Sequence, residues 1–281
     1  MSIDLKVKEL LADRFILKSF ASGESVRVAP HAAIREISRD LGLDLNCVER
    51  AVFSVEAVPE RYVRNLSTFS VEEQRRLFFS KVAMVGLGGL GGHLLESLVR
   101  CGVGHIVACD GDVFEPSNLN RQRLAAENSL YSKKSDAAFE MAREVNPAVF
   151  LDVRSDFIGA DGFESFISGA DLVADCLGGL EFREPLKKAA AKLGIPMVTA
   201  SVAGWAGVVS TVYPGDRSPA DFFGSDNGLE EELGTPVSAI TTAVGVQSSE
   251  ILKILSGKGA VLSGKAIMFD LGKMYFDTVM I

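Results

Sequence analysis

Residues 81–91 read KVAMVGLGGLG, an apolar strand that runs directly into a glycine-rich loop. A helix is predicted over residues 90–100 and a second strand over residues 105–109. Glycines in such a loop let the backbone turn tightly and approach a phosphate, which then meets the free amide groups of the helix N-terminus. The residues expected to bind a nucleotide in this way are Gly86, Gly88, Gly89 and Gly91.

Asp110 stands at the end of the second predicted strand, about 20 residues beyond the glycine loop. A carboxylate at this position hydrogen-bonds the ribose hydroxyls of a bound nucleotide. Loop, helix, strand and acid together indicate an adenine nucleotide. The pattern does not distinguish NAD from ATP.

The segment at residues 112–122, DVFEPSNLNRQ, favours ATP. A dehydrogenase has no need of an arginine-bearing polar run behind its ribose site. An enzyme that transfers the α-phosphate of ATP does, because the transition state places charge on the phosphate oxygens and on the departing pyrophosphate. The cations and amides predicted to meet that charge are Asn118, Arg121, Gln122 and Lys134.

Strands and helices alternate beyond residue 81, which predicts an α/β fold with a Rossmann-like, doubly wound and mostly parallel sheet. Three later strands, at residues 207–213, 266–270 and 274–280, are expected to be antiparallel, the last two as a hairpin. Between them the pattern predicts a long loop over residues 214–234 and a helix over 236–255.

Residues 1–59 are predicted to form a small helical region, separate from a nucleotide-binding domain over residues 60–281. A second helix is expected from Pro30 to Gly42, and Asn46 is expected to cap a third. A DNA-binding helix-turn-helix is disfavoured by the acidic charge of the chain. A helical cap or a partner-docking module is the preferred interpretation.

The order of these motifs resembles the ThiF/MoeB/HesA family of ATP-dependent adenylyltransferases, relatives of the ubiquitin-activating enzymes, and HesA-like members in particular. The motifs are GxGGxG, DxD at residues 110–112, SNLNRQ at 117–122, Lys134, and Asn146-Pro147. The resemblance runs from residue 61 to the C-terminus. It implies that the protein uses ATP and magnesium to adenylate the C-terminal Gly-Gly carboxylate of a small ubiquitin-like sulfur-carrier protein.

The same resemblance implies roles for individual residues. Asp110 would bind ribose, and Asp112 and Gln122 would belong to the same cofactor site. The phosphates would be bound by Asn118, Arg121 and Lys134. Residues 61–64, RYVR, resemble a family segment whose second arginine reaches the nucleotide of the partner subunit. The resemblance therefore implies a homodimer in which Arg64 completes the neighbour's active site.

One family feature is missing. Residues 171–183 read DLVADCLGGLEFR, and Gly178 stands where the family has the aspartate that holds magnesium. Asp175, Asp112 or Glu181 then takes over, of which Asp175 and Asp112 are the predicted ligands, with Asp175 also catalytic. Alternatively, the glycines provide a backbone cradle, or the chain is a catalytically impaired nucleotide-binding protein. Adenylation of a different carboxylate, such as one on a modified tRNA, is a further alternative.

The four cysteines, the last of them Cys176, show no CxxC pair, so no zinc site is expected and they are interpreted as reduced core thiols. The formal net charge of −8 argues against nucleic acid as a partner. No stretch resembles a signal peptide or approaches the roughly 20 apolar residues of a membrane span. We therefore expect no membrane contact and a cytoplasmic location.

Overall fold

The N-terminal part of the chain combines three helices with a small sheet in the computed structural model, which describes residues 3–20, 23–223, 232–259 and 261–281. Its strands are arranged in the order β1-β2-β3, with β1 antiparallel and β3 parallel to β2. The predicted helices are present, and the strands were not predicted. The elements are α1 (Ile3–Ala12), β1 (Ile16–Ser19), β2 (Ser25–Ala29), α2 (His31–Leu41), α3 (Leu45–Phe53) and β3 (Ala57–Pro59).

The ends of α2 follow the sequence, whereas the start of α3 does not. Pro30 precedes α2, and Gly42 ends it at φ 63°, a left-handed conformation that glycine adopts without strain. The predicted cap Asn46 is wrong: Asp44 caps α3, and its carboxylate accepts a 2.7 Å hydrogen bond from the Cys47 amide. Asn46 lies inside the helix and donates its side-chain amide to the Ala148 carbonyl instead.

The second part is an eight-stranded sheet with helices on both faces. Its strands are β4 (Lys81–Val85), β5 (His105–Cys109), β6 (Phe150–Arg154), β7 (Leu172–Asp175), β8 (Met197–Ala203), β9 (Ala206–Val212), β10 (Lys265–Asp270) and β11 (Tyr275–Met280). Its helices are α4 (Val71–Phe79), α5 (Gly89–Cys101), α6 (Lys134–Val145), α7 (Phe163–Ile167), α8 (Arg183–Lys192), α9 (Ala220–Phe223) and α10 (Val237–Ser256).

The sheet order is β11-β10-β9-β8-β7-β4-β5-β6. Strands β4 to β8 run parallel, and β9, β10 and β11 pair antiparallel, as predicted. One face of the sheet is covered by α5, α6 and α10, and the other by α7 and α8. This is the expected doubly wound α/β fold, in which buried parallel strands need helices on both sides.

The predicted loop at residues 214–234 includes the short helix α9, and residues 224–231 of that loop lie outside the described residues. Across the ranges that the structure describes, no helix has both the length and the apolar character to cross a membrane. The expected boundary between residues 59 and 60 stays a prediction. The apolar cluster of the N-terminal part extends past it to Tyr62, Phe78 and Ala148.

A buried polar network joins the two parts of the chain. The Tyr62 hydroxyl donates to Glu49 Oε2 at 3.1 Å and accepts from the Asn146 side-chain amide at 2.9 Å. Arg61 Nε lies 3.1 Å from Glu49 Oε1, and Arg61 also donates to the Asn146 side-chain oxygen. Burial raises the pKa of Glu49 to about 7, although Arg61 and Tyr62 oppose the shift.

Glu49 is expected to make stability depend on pH. Its pKa is raised from 4.5 to about 7 on folding, so its contribution is present below 4.5 and is lost as pH rises through 7, on the order of 3 kcal/mol in total. We expect Glu49→Gln to flatten this fall in unfolding free energy, measured by urea denaturation at about pH 5 and pH 8. Glu36→Gln, at an exposed ion pair with Arg14, should keep the wild-type slope. A Glu49→Gln slope equal to that of wild type would contradict the assignment.

Candidate nucleotide-binding site

The glycine loop joins β4 to α5 through two close backbone contacts. Gly86 adopts φ 98°, and a Cβ there would lie 2.5 Å from the Cys176 carbonyl oxygen at the end of β7. A Cβ on Gly91 would lie 1.9 Å from the Gly86 carbonyl oxygen. No side chain fits either position, so these two glycines bring the first turn of α5 onto the end of β4.

The other two glycines leave the N-terminus of α5 accessible. Gly88 precedes the helix without a side-chain cap, and a Cβ there would meet only Gln122 Nε2, at 3.8 Å. A Cβ on Gly89 would approach Ile240 at 3.3 Å and the Arg121 stem at 3.8 Å. Residues 121–122 therefore lie beside the N-terminus of α5, and the first amides of a helix have no partner within it, so a phosphate can be held there.

Asp110 follows β5 and is held against the glycine loop. Its Oδ2 accepts a 2.7 Å hydrogen bond from the Leu87 amide, and its Oδ1 accepts one of 2.9 Å from the Asp112 amide. The carboxylate thus lies at the carboxyl edge of the sheet beside the loop, where a ribose-binding acid is expected.

Lys134 is the first residue of α6 and is 5% exposed, so it is not a solvated surface lysine. Its Nζ lies 2.8 Å from Asp112 Oδ2 and 3.8 Å from Asp110 Oδ1. Its amide also donates to the Asp112 carbonyl at 3.1 Å. The structure therefore brings the predicted phosphate-binding lysine next to the predicted ribose-binding acid.

Residues 116–122 fold back towards the glycine loop. Asn118 ends a short 3-10 helix, and its Oδ1 accepts from the Glu115 amide at 3.1 Å. Arg121 donates to the Ser117 carbonyl and to Asn120 Oδ1, both at 3.0 Å. Gln122 is buried beside Gly88, and its Oε1 has no hydrogen-bond partner in the part of the chain that the structure describes. Unused hydrogen-bonding capacity at this place fits a site that a ligand completes.

Asp175 does not fit its predicted role as a magnesium ligand, because protein groups occupy both of its carboxylate oxygens. It is fully buried, and its Oδ2 accepts from the Arg183 guanidinium at 2.7 Å and from the Thr199 hydroxyl at 2.6 Å. Its Oδ1 accepts from the Leu177 amide at 3.1 Å. Both oxygens are therefore occupied by protein groups, and Asp175 holds the end of β7 together.

Gly178 and Gly179 form an open turn next to this ion pair. A Cβ on Gly178 would meet nothing within 4 Å, so a carboxylate would fit there without displacing a neighbour. The Arg183 guanidinium donates to the Gly179 carbonyl at 2.8 Å and to the Leu177 carbonyl at 2.6 Å. Arg183 thus fixes the turn through two backbone carbonyls.

Magnesium has one remaining predicted ligand. No group of three His, Cys, Asp or Glu side chains in the described ranges is placed to hold a metal. Asp112 is 51% exposed by its side chain and paired with Lys134. A single carboxylate together with substrate phosphates is a common way for proteins to bind magnesium, so Asp112 fits the ion only alongside a bound nucleotide.

Arg64 lies far from the glycine loop of its own chain. It is exposed within a 3-10 helix at Glu60–Asn65, and no hydrogen bond or ion pair of its side chain occurs among the residues described. The neighbouring Asn65 donates to the Cys101 carbonyl, at the C-terminal end of α5. The glycine loop lies at the N-terminal end of α5, whereas Asn65 contacts its C-terminal end. The two ends are about 18 Å apart at a rise of 1.5 Å per residue.

Two residues that sequence reasoning missed complete the site's support. The Gln247 side chain, from the middle of α10, donates to the carbonyls of Asp175 and Val198 at 3.0 and 3.1 Å. Thr199 is the second donor to Asp175. The available signal for Gln247 was its helical spacing from Ile240, Ala243, Val244 and Ile251, which places a glutamine on the apolar face of α10.

The cysteines are free, and Cys109 and Cys176 are buried. Burial raises the pKa of Cys109 to about 12 and that of Cys176 still further, so neither thiol is a ready nucleophile. Cys47 is exposed, which corrects its interpretation as a core thiol.

Fold and site together define a Rossmann-like domain with cationic and amide side chains beside its glycine loop. The chain belongs to the ThiF family, whose model matches residues 61–281. This is a family of adenylyltransferases, which use ATP.

Three relatives each match most of the chain. The SAMP-activating enzyme E1 of Haloferax volcanii is 30% identical over 231 residues, which are 78% of this chain and 84% of the relative. The molybdopterin-synthase adenylyltransferase of Salmonella typhimurium is 28% identical over 217 residues, 75% of this chain and 87% of the relative. The Escherichia coli sulfur carrier protein ThiS adenylyltransferase is 29% identical over 204 residues, which are 70% of this chain and 81% of the relative.

Two solved structures share the fold over nearly the whole chain. Escherichia coli MccB with ATP has a TM-score of 0.70 at 17% identity and covers 99% of this chain and 87% of MccB. PaaA has a TM-score of 0.68 at 19% identity and covers 96% of this chain and 99% of PaaA. These likenesses therefore extend into the N-terminal part, which precedes the family match.

Asp175→Asn is expected to destabilise the protein in the absence of any ligand. Removing one member of a buried ion pair leaves the other charge unpaired, which typically costs about 3–5 kcal/mol. Urea denaturation without nucleotide or metal should therefore show a large loss of unfolding free energy. Glu181→Gln, an exposed carboxylate in the same turn, is the matched control and should change little. If Asp175→Asn is as stable as wild type but changes magnesium dependence, the metal-ligand role is restored.

Proposed function

We propose that this protein activates a C-terminal Gly-Gly carboxylate with ATP, giving an acyl-adenylate and pyrophosphate. The observation that carries the proposal is the meeting of the glycine loop, Asp110, Lys134 and Gln122 at one edge of the sheet. The relatives act on SAMP, on molybdopterin synthase and on the carrier ThiS, according to their names. A small ubiquitin-like sulfur carrier is therefore the proposed substrate.

In the proposed reaction, a carboxylate oxygen of the carrier attacks the α-phosphorus of ATP. A new P–O bond forms while the bond to the β-phosphate breaks, and its electron pair leaves with pyrophosphate. No proton has to move, so rate acceleration rests on positioning and on stabilising the developing charge. The loop amides would hold phosphate oxygens, Asp110 the ribose, and Lys134, Arg121, Asn118 and Gln122 the transferred and departing groups.

Magnesium, when bound, neutralises phosphate charge, and Asp112 is the proposed protein ligand. Asp112 Oδ2 also lies 2.8 Å from the Lys134 ammonium. This carboxylate gives the buried ammonium a counter-charge, which a buried charge needs.

The proposed product is the acyl-adenylate and not a thioester. The last cysteine of the chain is Cys176, which is buried with a raised pKa. Transfer to a thiol is therefore assigned to another protein. Free thiols on this chain suit a reducing compartment, and we propose a cytoplasmic location.

A second candidate is a polypeptide whose C-terminus is not Gly-Gly. MccB and PaaA match this chain through its N-terminal part, whereas the family model begins at residue 61. A solved structure of MccB contains N-formylated MccA. An N-terminal part shared with these proteins favours a role for residues 3–59 in holding a polypeptide substrate.

Pyrophosphate exchange into ATP tests the proposal. We expect exchange in the presence of a small ubiquitin-like protein ending in Gly-Gly and none with the same protein amidated at its C-terminus. Calorimetry should show binding of ATP in preference to NAD. Exchange with a C-terminal peptide of another sequence, and none with Gly-Gly proteins, would favour the second candidate. ATP binding without any exchange would leave the chain as a nucleotide-binding protein that has lost catalysis.

Gly178→Asp is a sharp variant for the same assay, because the position has room for a side chain. We expect it to fold as stably as wild type and to change the magnesium concentration at half-maximal exchange. Gly215→Ala controls for backbone effects on stability. A Cβ at residue 215 would also meet nothing within 4 Å, but the φ of 96° there disfavours alanine. An unchanged magnesium profile would mean that this turn is remote from the metal.

We further propose a homodimer with two composite sites. Arg64 is exposed and about 18 Å from its own glycine loop by the length of α5, so it is available to a second copy. Arg64→Ala and Arg121→Ala should each abolish exchange, and a purified heterodimer of the two variants should recover about one intact site of two, half the wild-type rate. The control is the exchange activity of the Arg64→Ala homodimer and of the Arg121→Ala homodimer, each measured separately. A verified heterodimer without activity would refute the sharing of sites.

A further inference from the structure

Phe157 occupies an unusual place for an exposed aromatic side chain. It follows β6 in a loop at the carboxyl edge of the sheet, and 76% of its surface is exposed. Its ring lies on the backbone of Gly111: a Cβ built on Gly111 would be 2.4 Å from Phe157 Cδ2, 2.7 Å from Cε2 and 2.8 Å from Cγ. The absence of a side chain at residue 111 is therefore what lets this ring pack against the backbone next to Asp110.

The position relates directly to Asp110. Gly111 is the residue after the proposed ribose-binding acid, and the Asp110 amide donates to the Arg154 carbonyl at the end of β6 at 3.1 Å. The Asp110 carboxylate points the other way along the edge, to the Leu87 amide of the glycine loop. A ribose on this carboxylate has its phosphates on the loop side, so its base is directed to the β6 side, where Phe157 lies.

We propose that Phe157 is the stacking surface for the adenine of ATP, a contact that rests on the proposed function. The ring is held against Gly111, and 76% of the side chain stays exposed and available for a base. Stacking of a base on an aromatic side chain needs no hydrogen-bond donors and excludes water from the adjoining ribose contact. In this arrangement the glycine loop recognises phosphate, Asp110 recognises ribose, and Phe157 contributes affinity for the base.

Nucleotide binding by the full chain tests the inference, with inorganic tripolyphosphate as the ligand that lacks a base. We expect Phe157→Ala to raise the Kd for ATP about tenfold while leaving that for tripolyphosphate unchanged, and Phe157→Tyr to retain wild-type affinity for both. Gly111→Ala, which displaces the ring without removing it, should weaken ATP binding in the same way. Phe150→Ala is the matched control, since Phe150 is 59% exposed at the opposite end of β6.

A spectroscopic variant gives a readout that a purely structural role would not move. The fluorescence of a Phe157→Trp variant should be quenched by ATP and not by tripolyphosphate. The signal of the native Trp205, measured in wild type, is subtracted first. Tryptophan in place of Phe150 should not respond to either ligand.

Two outcomes would overturn the inference in distinguishable ways. The stacking role is wrong, and the proposed function stands, if wild type binds ATP and Phe157→Ala binds it with the same Kd. The same conclusion follows if Phe157→Ala raises the Kd for tripolyphosphate as much as the Kd for ATP. If wild type binds tripolyphosphate but not ATP, both fall together.

Discussion

The contact between Gly91 and the Gly86 carbonyl is the constraint on which the rest of the site depends. A Cβ at residue 91 would lie 1.9 Å from that oxygen, so the first turn of α5 reaches the end of β4 only without a side chain there. This close approach directs the helix amides to the carboxyl edge of the sheet, where β5 delivers Asp110. One backbone contact thus brings the helix N-terminus proposed to bind phosphate close to Asp110, the proposed ribose ligand.

Charges at this edge are arranged in two pairs with different purposes. Arg183 and Asp175 are buried and fully hydrogen-bonded, and they join the turn at residues 177–179 to β7 and β8. Lys134 is also buried, but its partner Asp112 is half exposed, so an incoming phosphate can compete for the ammonium group from that side. The first pair is structural because water and ligand cannot reach it, and the second can exchange partners because one side is open.

The site residues that could be predicted from the sequence are those that lie within a few residues of a recognisable strand or helix. Glycine loop, Asp110 and Lys134 each lie at a strand or helix end that periodicity locates, and the parallel sheet then brings those ends together. Asp175 was misjudged because its partner Thr199 comes from β8, which sequence distance does not reveal. Strands β1 and β3, with four and three residues, are too short for periodicity to identify, and Asp44 and Asn46 have similar preference for a helix cap.

The aromatic junction at Tyr62 and Phe78 bears on how such proteins can gain or lose parts. These rings pack against Phe53 with centroid distances of 6.1 and 5.0 Å and have almost no exposed surface. A chain that carried only the nucleotide-binding part would expose them to water. Separating the two parts would therefore require polar substitutions at this seam or a different cover for these rings.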